Sequence, residues 1–271
     1  MGTTADKLNK ILESKAAIKA AIEAKGVSDV GDVLAEYPDK IASISGGGGG
    51  KFVVPNGLRF AYSISLDPEL FDTRKVIQMG YMLAYFNSPT ITSLDLSSWD
   101  VSSAMYTNQM FLSCYTLESI IMPLFTEPKV VDMSAMFNGC SKLKTIDLSN
   151  FNTCKVKTMN SMFYNCSVLT DIDMSTSDLT SCTSMSSFGR CFKLVNLKLN
   201  DLGHNQSCTE LSLTDCSALS KESVLFLFNN AFDRKAEGFV KSFTIKLNAT
   251  TKALLTDDEI AIATNKGFTV V

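Results

Sequence analysis

The sequence predicts an α+β repeat protein: a solenoid of short strands with a β-hairpin cap at one end, a mixed α/β cap at the other, and a small helical module in front. Three observations predict it. A phenylalanine-cysteine-leucine pattern recurs at a nearly constant interval through the middle of the chain. Each copy carries a short triplet, typified by Ile146-Asp147-Leu148, of the kind that makes one strand with its outer members facing in and its middle one facing out. The pattern stops towards both ends, where helical periodicity and turn residues take over.

The N-terminal stretch comes first. Residues 4–25 read as a helix, with Leu8, Ile11, Leu12, Ile18 and Ile22 at helical spacing and charges on the other side. Thr3 or Thr4 caps its start and Gly26 ends it. Leu8, Ile11, Ile18 and Ile22 fit a and d positions, interrupted by Lys15, and are the candidate oligomerisation residues. A helical hairpin with a second segment through Val33, Leu34, Tyr37, Ile41 and Ile44 accounts for the same stripe equally well. Residues 1–45 are therefore read as an anchoring or oligomerisation module. The five glycines 46–50 follow as a linker, because such a run holds no fixed conformation cheaply. No Lys-Ser or Lys-Thr closes the run ahead of a helix, so it is not a phosphate loop.

Residues 51–206 are read as the repeat body with its cap. Phe52, Val54, Leu58, Phe60, Tyr62, Ile64 and Leu66 alternate around the turn Pro55-Asn56-Gly57, which predicts a hairpin over the open end of the stack. The copies then run Met110-Phe111, Cys114, Leu117, Ile120, Met122; Met136-Phe137, Cys140, Leu143, Ile146, Leu148; Met162-Phe163, Cys166, Leu169, Ile172, Met174; and Phe188, Cys191, Leu194, Leu197, Leu199. The cysteines are 26, 26 and 25 residues apart. A weaker copy precedes them with Tyr85, Ser88, Ile91, Leu94 and Leu96. A fixed period in the twenties marks units that bury their apolar faces only against stacked neighbours. Residues 207–271 break the pattern. Lys221–Phe232 reads as a helix capped by Ser220, 243–247 as a strand, Thr256 with Glu259 as a capping box, and 268–270 as a closing strand.

The repeat written Met136-Phe137-Asn138-Gly139-Cys140-Ser141-Lys142-Leu143-Lys144-Thr145-Ile146-Asp147-Leu148-Ser149-Asn150-Phe151 resembles the BspA-like leucine-rich repeat surface-protein family over residues 70–215. The resemblance implies a leucine-rich-repeat solenoid, and a surface or adhesion protein without enzymatic residues. Residues 11–41, from Ile11-Leu12-Glu13 to Tyr37-Pro38-Asp39-Lys40-Ile41, are similar to N-terminal modules of bacteriophage tail and fibre proteins. Residues 254–270, with Leu254-Leu255-Thr256-Asp257-Asp258-Glu259, resemble the terminal cap of gut-bacterial and phage repeat proteins. Together these imply a virion component, trimeric if it is a fibre, with protein partners in the particle or on the host, or a host glycan. A bacterial cell-surface adhesin of the same architecture is the alternative. The first residues lack a basic region followed by an apolar run, so no secretory signal is expected there, which favours the virion.

Composition excludes several other classes. The 25 basic and 28 acidic residues give a net charge of −3 without a basic run, so nucleic acid is not an expected partner. No stretch of 18 apolar residues predicts a membrane span. The eight cysteines show no paired spacing and His204 is the single histidine, so neither zinc nor a nucleophile-base pair is expected, and no cofactor. Cys114, Cys140, Cys166 and Cys191 are read as reduced core thiols with Ser88 as an earlier occupant of their slot; Cys154, Cys182, Cys208 and Cys216 look irregular. The middle residues of the strand triplets, Asp95, Ile121, Asp147, Asp173 and Lys198, form an exposed row. Carboxylates in a row suit a hard cation such as Ca²⁺, but Ile121 and Lys198 interrupt it and no metal is expected. Trp99, Tyr106, Tyr115 and Tyr164 lie near repeat corners as exposed aromatics, although core packing accounts for Trp99 first. Tyr115 and Tyr164, with Asp147 and Asp173 of the row, are the candidate partner-binding residues.

Overall fold

The computed structural model describes residues 52–53, 71–88, 91–127, 129–186 and 188–271. The helical module of residues 1–45, its residues Leu8, Ile11, Ile18 and Ile22, and the glycine run lie outside them. The described chain is a mixture of short strands and a few helices in open sheets. In chain order the elements are β1 Phe52–Val53, β2 Phe71–Asp72, β3 Ser93–Asp95, β4 Ser119–Ile121, β5 Thr145–Ile146, β6 Asp171–Met174, β7 Asn196–Leu199, β8 Glu210–Leu213, α1 Lys221–Asn229, β9 Phe243–Leu247, α2 Ala249–Lys252, α3 Asp257–Asn265 and β10 Phe268–Val270. Every strand pair is parallel: β1-β2, β3-β4-β5, β6-β7 and β8-β9-β10. The hairpin expected over residues 51–66 falls mostly outside the described residues. Its first strand, β1, pairs parallel with β2.

Successive copies of the repeat lie one on the next in register. Ser93 pairs with Ser119 and Ser119 with Thr145, while Asp171 pairs with Asn196. A second line of contacts runs Tyr106, Asp132, Thr158, Ser184. Parallel strands need a crossover between them, and here each crossover is the corner of the coil itself. That corner is a run of overlapping turns. The N–H groups of Met133, Ala135, Phe137 and Gly139 donate to Thr158, Asn160, Met162 and Tyr164 of the following coil. The N–H groups in between, of Met136, Asn138 and Cys140, turn back onto Met133, Ala135 and Phe137. Alternating the peptide direction in this way requires left-handed backbone at two places per coil. Tyr81, Gln109, Ala135 and Ser161 occupy the first, at φ of 53–61°. Tyr85, Ser113, Gly139 and Asn165 occupy the second, joined by Arg190. Only Gly139 takes that conformation without a Cβ penalty, which is about 1–2 kcal/mol for most other residues.

These hydrogen bonds reset the first copy. Leu83 donates to Met110 as Phe111 does to Met136, and Tyr85 shares its left-handed φ with Ser113. Leu83 is therefore the counterpart of Phe111, and Phe86 that of Cys114. Ser88 does not hold the cysteine slot, because this corner is two residues longer before Ile91. Its hydroxyl accepts the Ile91 N–H instead.

The interior is built of columns. Phe111, Phe137, Phe163 and Phe188 stack at centroid distances of 5.4, 5.4 and 5.9 Å with ring planes within 13°. Beside them runs a thiol ladder. The sulfurs of Cys114, Cys140, Cys166 and Cys191 donate to the carbonyls of Leu83, Phe111, Phe137 and Phe163, at 3.0–3.2 Å. The ladder has a fifth rung, Cys216 on Phe188. Burial, reinforced by the neighbouring cysteines, pushes Cys140 and Cys166 far above the usual thiol range, and burial with the nearby Asp215 carboxylate pushes Cys191 up to about 12. Trp99, Phe125 and Phe151 make another column and are buried, so Trp99 is a core residue and not an exposed one.

The C-terminal elements follow their local signals. Ser220 accepts the Ser223 N–H and starts α1. Thr256 and Glu259 form a complete capping box on α3, and Glu259 also pairs with Lys221 at 2.8 Å. α1 ends at Asn229, earlier than its apolar pattern, and α2 is a single turn started by Asn248.

Candidate recognition surface

The strands β3 to β7 point alternate residues inward and outward. Leu94, Ile120, Ile172 and Leu197 are buried, and Ile146 is half-buried against them. Outward lie two rows, Ser93, Ser119, Thr145, Asp171, Asn196 and Asp95, Ile121, Asp147, Asp173, Lys198. Polar members of these rows are tied from coil to coil. Ser119 Oγ donates to Ser93 Oγ at 2.8 Å and Asn196 Nδ2 to Asp171 Oδ1 at 2.5 Å. Lys198 Nζ reaches Asp173 at 3.0 Å, and beside the rows Lys144 reaches Glu118 at 2.5 Å. Such exposed pairs contribute little stability each, about 0–1 kcal/mol. Their effect is to hold side chains in fixed places on a flat, mixed-charge face.

The carboxylates have a local task that the sequence reading did not assign. Asp147 accepts the Ser149 N–H at 2.9 Å. Asp173 accepts both the N–H and the hydroxyl of Ser175, at 3.0 and 2.6 Å. Asp95, Asp100, Asp132 and Asp178 bond in the same way to the residue two further on. These are Asx turns, and the spacing Asp-x-Ser/Thr was their legible signal. The turn hydrogen bonds hold Asp95, Asp147, Asp173 and Asp178 below the usual carboxylate range. Among the described residues no group of three or more His, Cys, Asp or Glu side chains is placed to hold a metal ion. Asp147 and Asp173 are exposed but already engaged as turn formers.

The two tyrosines part company. Tyr115 stands 55% exposed on its corner. Tyr164 is half-buried: the Arg190 guanidinium lies over its ring, 5.8 Å from the centroid, and Gly189 packs on its edge. Its packing against the next coil leaves less of it exposed than of Tyr115. Phe192, which follows Cys191 as Tyr115 follows Cys114, is 50% exposed and was missed; that shared slot was its signal. Ile121 and Leu124 are exposed to 54% and 60%. His204 stacks on Phe232 at 4.0 Å in the C-terminal segment, away from these rows. No helix among the described residues is long and apolar enough to cross a membrane.

Parallel repeats in register, with an outward polar face and a few standing apolar side chains, define a repeat-built protein. The model of a family described as "Mycoplasma protein of unknown function, DUF285" matches residues 58–123 and 84–201, together more than half of the chain. The chain belongs to this family. No curated protein and no solved structure matches it.

Proposed function

We propose that the chain is a non-enzymatic recognition protein: a leucine-rich-repeat solenoid of the BspA type, carried on a bacteriophage particle, that presents its outward face to a host protein or glycan. The observation that carries this reading is the pre-ordered face. Hydroxyl, amide and carboxylate groups are cross-linked between coils, and Tyr115, Ile121, Leu124 and Phe192 project from the same coils. A face already held by its own hydrogen bonds loses little side-chain freedom on binding, and exposed aromatics supply contact area. Residues 1–45 anchor or oligomerise in this picture, as a trimer in a fibre. Light scattering on the full chain and on a version starting at Lys51 tests that part: a trimer that becomes a monomer is the expected result.

The recognition role is tested by binding of the labelled protein to host cells and to a glycan array. Tyr115→Ala and Phe192→Ala are expected to reduce binding at least tenfold, about 1.4 kcal/mol or more, with unchanged circular dichroism. Binding that survives both changes sinks the assignment of this face. The match to a family described from Mycoplasma favours a second reading, an adhesin on a bacterial cell. Mass spectrometry of purified particles and of peptides shaved from intact cells separates the two carriers.

A further inference from the structure

We propose that Cys182 and Cys208 form a disulfide bridge between adjacent coils when the folded protein meets hydrogen peroxide, with the Cys208 sulfur as the attacking group. The first support is register. Ala104, Val130, Val156, Cys182 and Cys208 follow one another at 26-residue steps, all buried in one inward slot. Two residues further on, Tyr106, Asp132, Thr158 and Ser184 pair in parallel, and the next step is Glu210, the first residue of β8. Cys182 and Cys208 are thus neighbours across coils. Adjacent strands lie about 4.8 Å apart, inside the Cα separation of about 4.4–6.8 Å that a disulfide spans.

The second support is how the thiols are held. The Cys182 thiol donates to the Ser184 carbonyl at 3.5 Å, and the Cys208 sulfur interacts with the Cys182 side chain and with the backbone of Glu210 and Met185. The weakest of these influences on Cys208 is the charge of Arg234. This side chain is 1% exposed, gives its guanidinium to the carbonyls of Gly203 and Lys241, and leaves Nε without a hydrogen-bond partner among the described residues. It has no carboxylate in ion-pair reach there; instead Phe239 and Phe243 flank it at 5.0 and 5.8 Å. The Cys182 side chain first, then the backbone of Glu210 and Met185 and the Arg234 charge, hold Cys208 below the usual thiol range against the opposing effect of burial. The thiol ladder is the internal contrast. There each sulfur donates at 3.0–3.2 Å to a carbonyl of the preceding coil, so it is not turned to the next thiol, and burial keeps it protonated.

The chemistry balances. The Cys208 thiolate attacks one peroxide oxygen, the O–O bond breaks, and hydroxide leaves to take up the proton released from the thiol. Cys208 is now a sulfenic acid. The Cys182 sulfur attacks the Cys208 sulfur, the S–O bond breaks, and water leaves with the Cys182 proton. Two thiols lose two hydrogens and one peroxide becomes two waters. Both cysteines are almost wholly buried, at 3% and 4% exposure, which selects a small oxidant over a protein one. The bridge closes a loop across the junction of the repeats and the C-terminal segment.

The test uses the reduced full chain treated with dilute hydrogen peroxide. The expected result is the loss of two hydrogens in the intact mass, a Cys182–Cys208 linked peptide, and a rise in Tm that a reductant reverses. Cys182→Ala is expected to stop the reaction at Cys208 sulfenic acid, trapped by dimedone, and Cys208→Ala to leave Cys182 unoxidised. Both variants place alanine where Ala104 already fits the same slot, and circular dichroism checks that they fold. The proposal is overturned if folded protein yields no linked peptide, or if dimedone labels ladder cysteines as readily as Cys208.

Discussion

Ser177 carries a hydroxyl into the column made by Trp99, Phe125 and Phe151, one 26-residue step beyond Phe151. Its Oγ is buried and has no hydrogen-bond partner among the described residues. A buried unsatisfied polar group costs about 1–3 kcal/mol, so Ser177→Ala is expected to stabilise the protein by about 1 kcal/mol in urea unfolding. A loss of stability would mean that the hydroxyl has a partner after all. The Asx-turn carboxylates act at the same scale and respond to pH. Asp95, Asp147, Asp173 and Asp178 have folded pKa values depressed by hydrogen bonds from Ser97, Ser149, Ser175 and Thr180. A depressed folded value contributes stability that is complete above the unfolded pKa, about 3.9, and lost as pH falls through the folded one. The urea midpoint is therefore expected to be flat from about pH 7 to 5 and to fall below about pH 4. Replacing the four aspartates by asparagine should flatten the acid limb, and an unchanged slope would assign that limb to other groups.

At the scale of the coil, the ring column tests whether stacking adds to burial. Phe137 has a ring above and below, whereas Phe111 has one ring neighbour in the column. Truncating a buried phenylalanine costs about 3–5 kcal/mol, and an aligned aromatic pair adds about 0.5–1.5 kcal/mol. Phe137→Ala is accordingly expected to cost about 1 kcal/mol more than Phe111→Ala in chemical denaturation. Equal costs would show that the rings contribute area alone. The column was legible in the sequence because Met-Phe, Cys and Leu repeat together and their spacing survives one-residue slips. The first copy was not, because counting back from Ile91 puts Tyr85 and Ser88 where the hydrogen bonds put Leu83 and Phe86. A corner two residues longer leaves no mark on composition. The slot shared by Cys182 and Cys208 was equally hidden, since its earlier occupants are Ala104, Val130 and Val156 and only the pairing register aligns them. On the candidate surface, Tyr115 was legible as a corner residue. Tyr164 is less exposed than its corner position suggests, because its cover, Arg190, comes from the next coil.

A stack of parallel coils has two ends, and each leaves a strand edge whose backbone groups need partners. At the C-terminal side of β7 no further strand among the described residues continues the ladder of β6 and β7. Helix α1 lies there instead, and one of its side chains replaces the missing strand. Ser223 Oγ accepts the Leu197 N–H at 2.5 Å and donates to the Leu197 carbonyl at 3.0 Å. Leu197 itself is fully buried, so neither group has access to water in its place. Ser220, which starts the helix, accepts the Ser223 N–H and donates its own N–H to the Val195 carbonyl. The first turn of α1 is thereby fixed against the edge. Ser223→Ala keeps the helix and its packing but leaves a buried donor and a buried acceptor unpaired, at about 1–3 kcal/mol. For about 2 kcal/mol in a domain of this size, Tm is expected to fall by about 4–8 °C. The neighbouring Glu222 lies in the same turn but faces solvent, so Glu222→Ala is the control and is expected to move Tm far less. A Ser223→Ala protein that melts with the wild type would mean that the edge is closed by helix packing alone, and that the hydroxyl is incidental to how the stack ends.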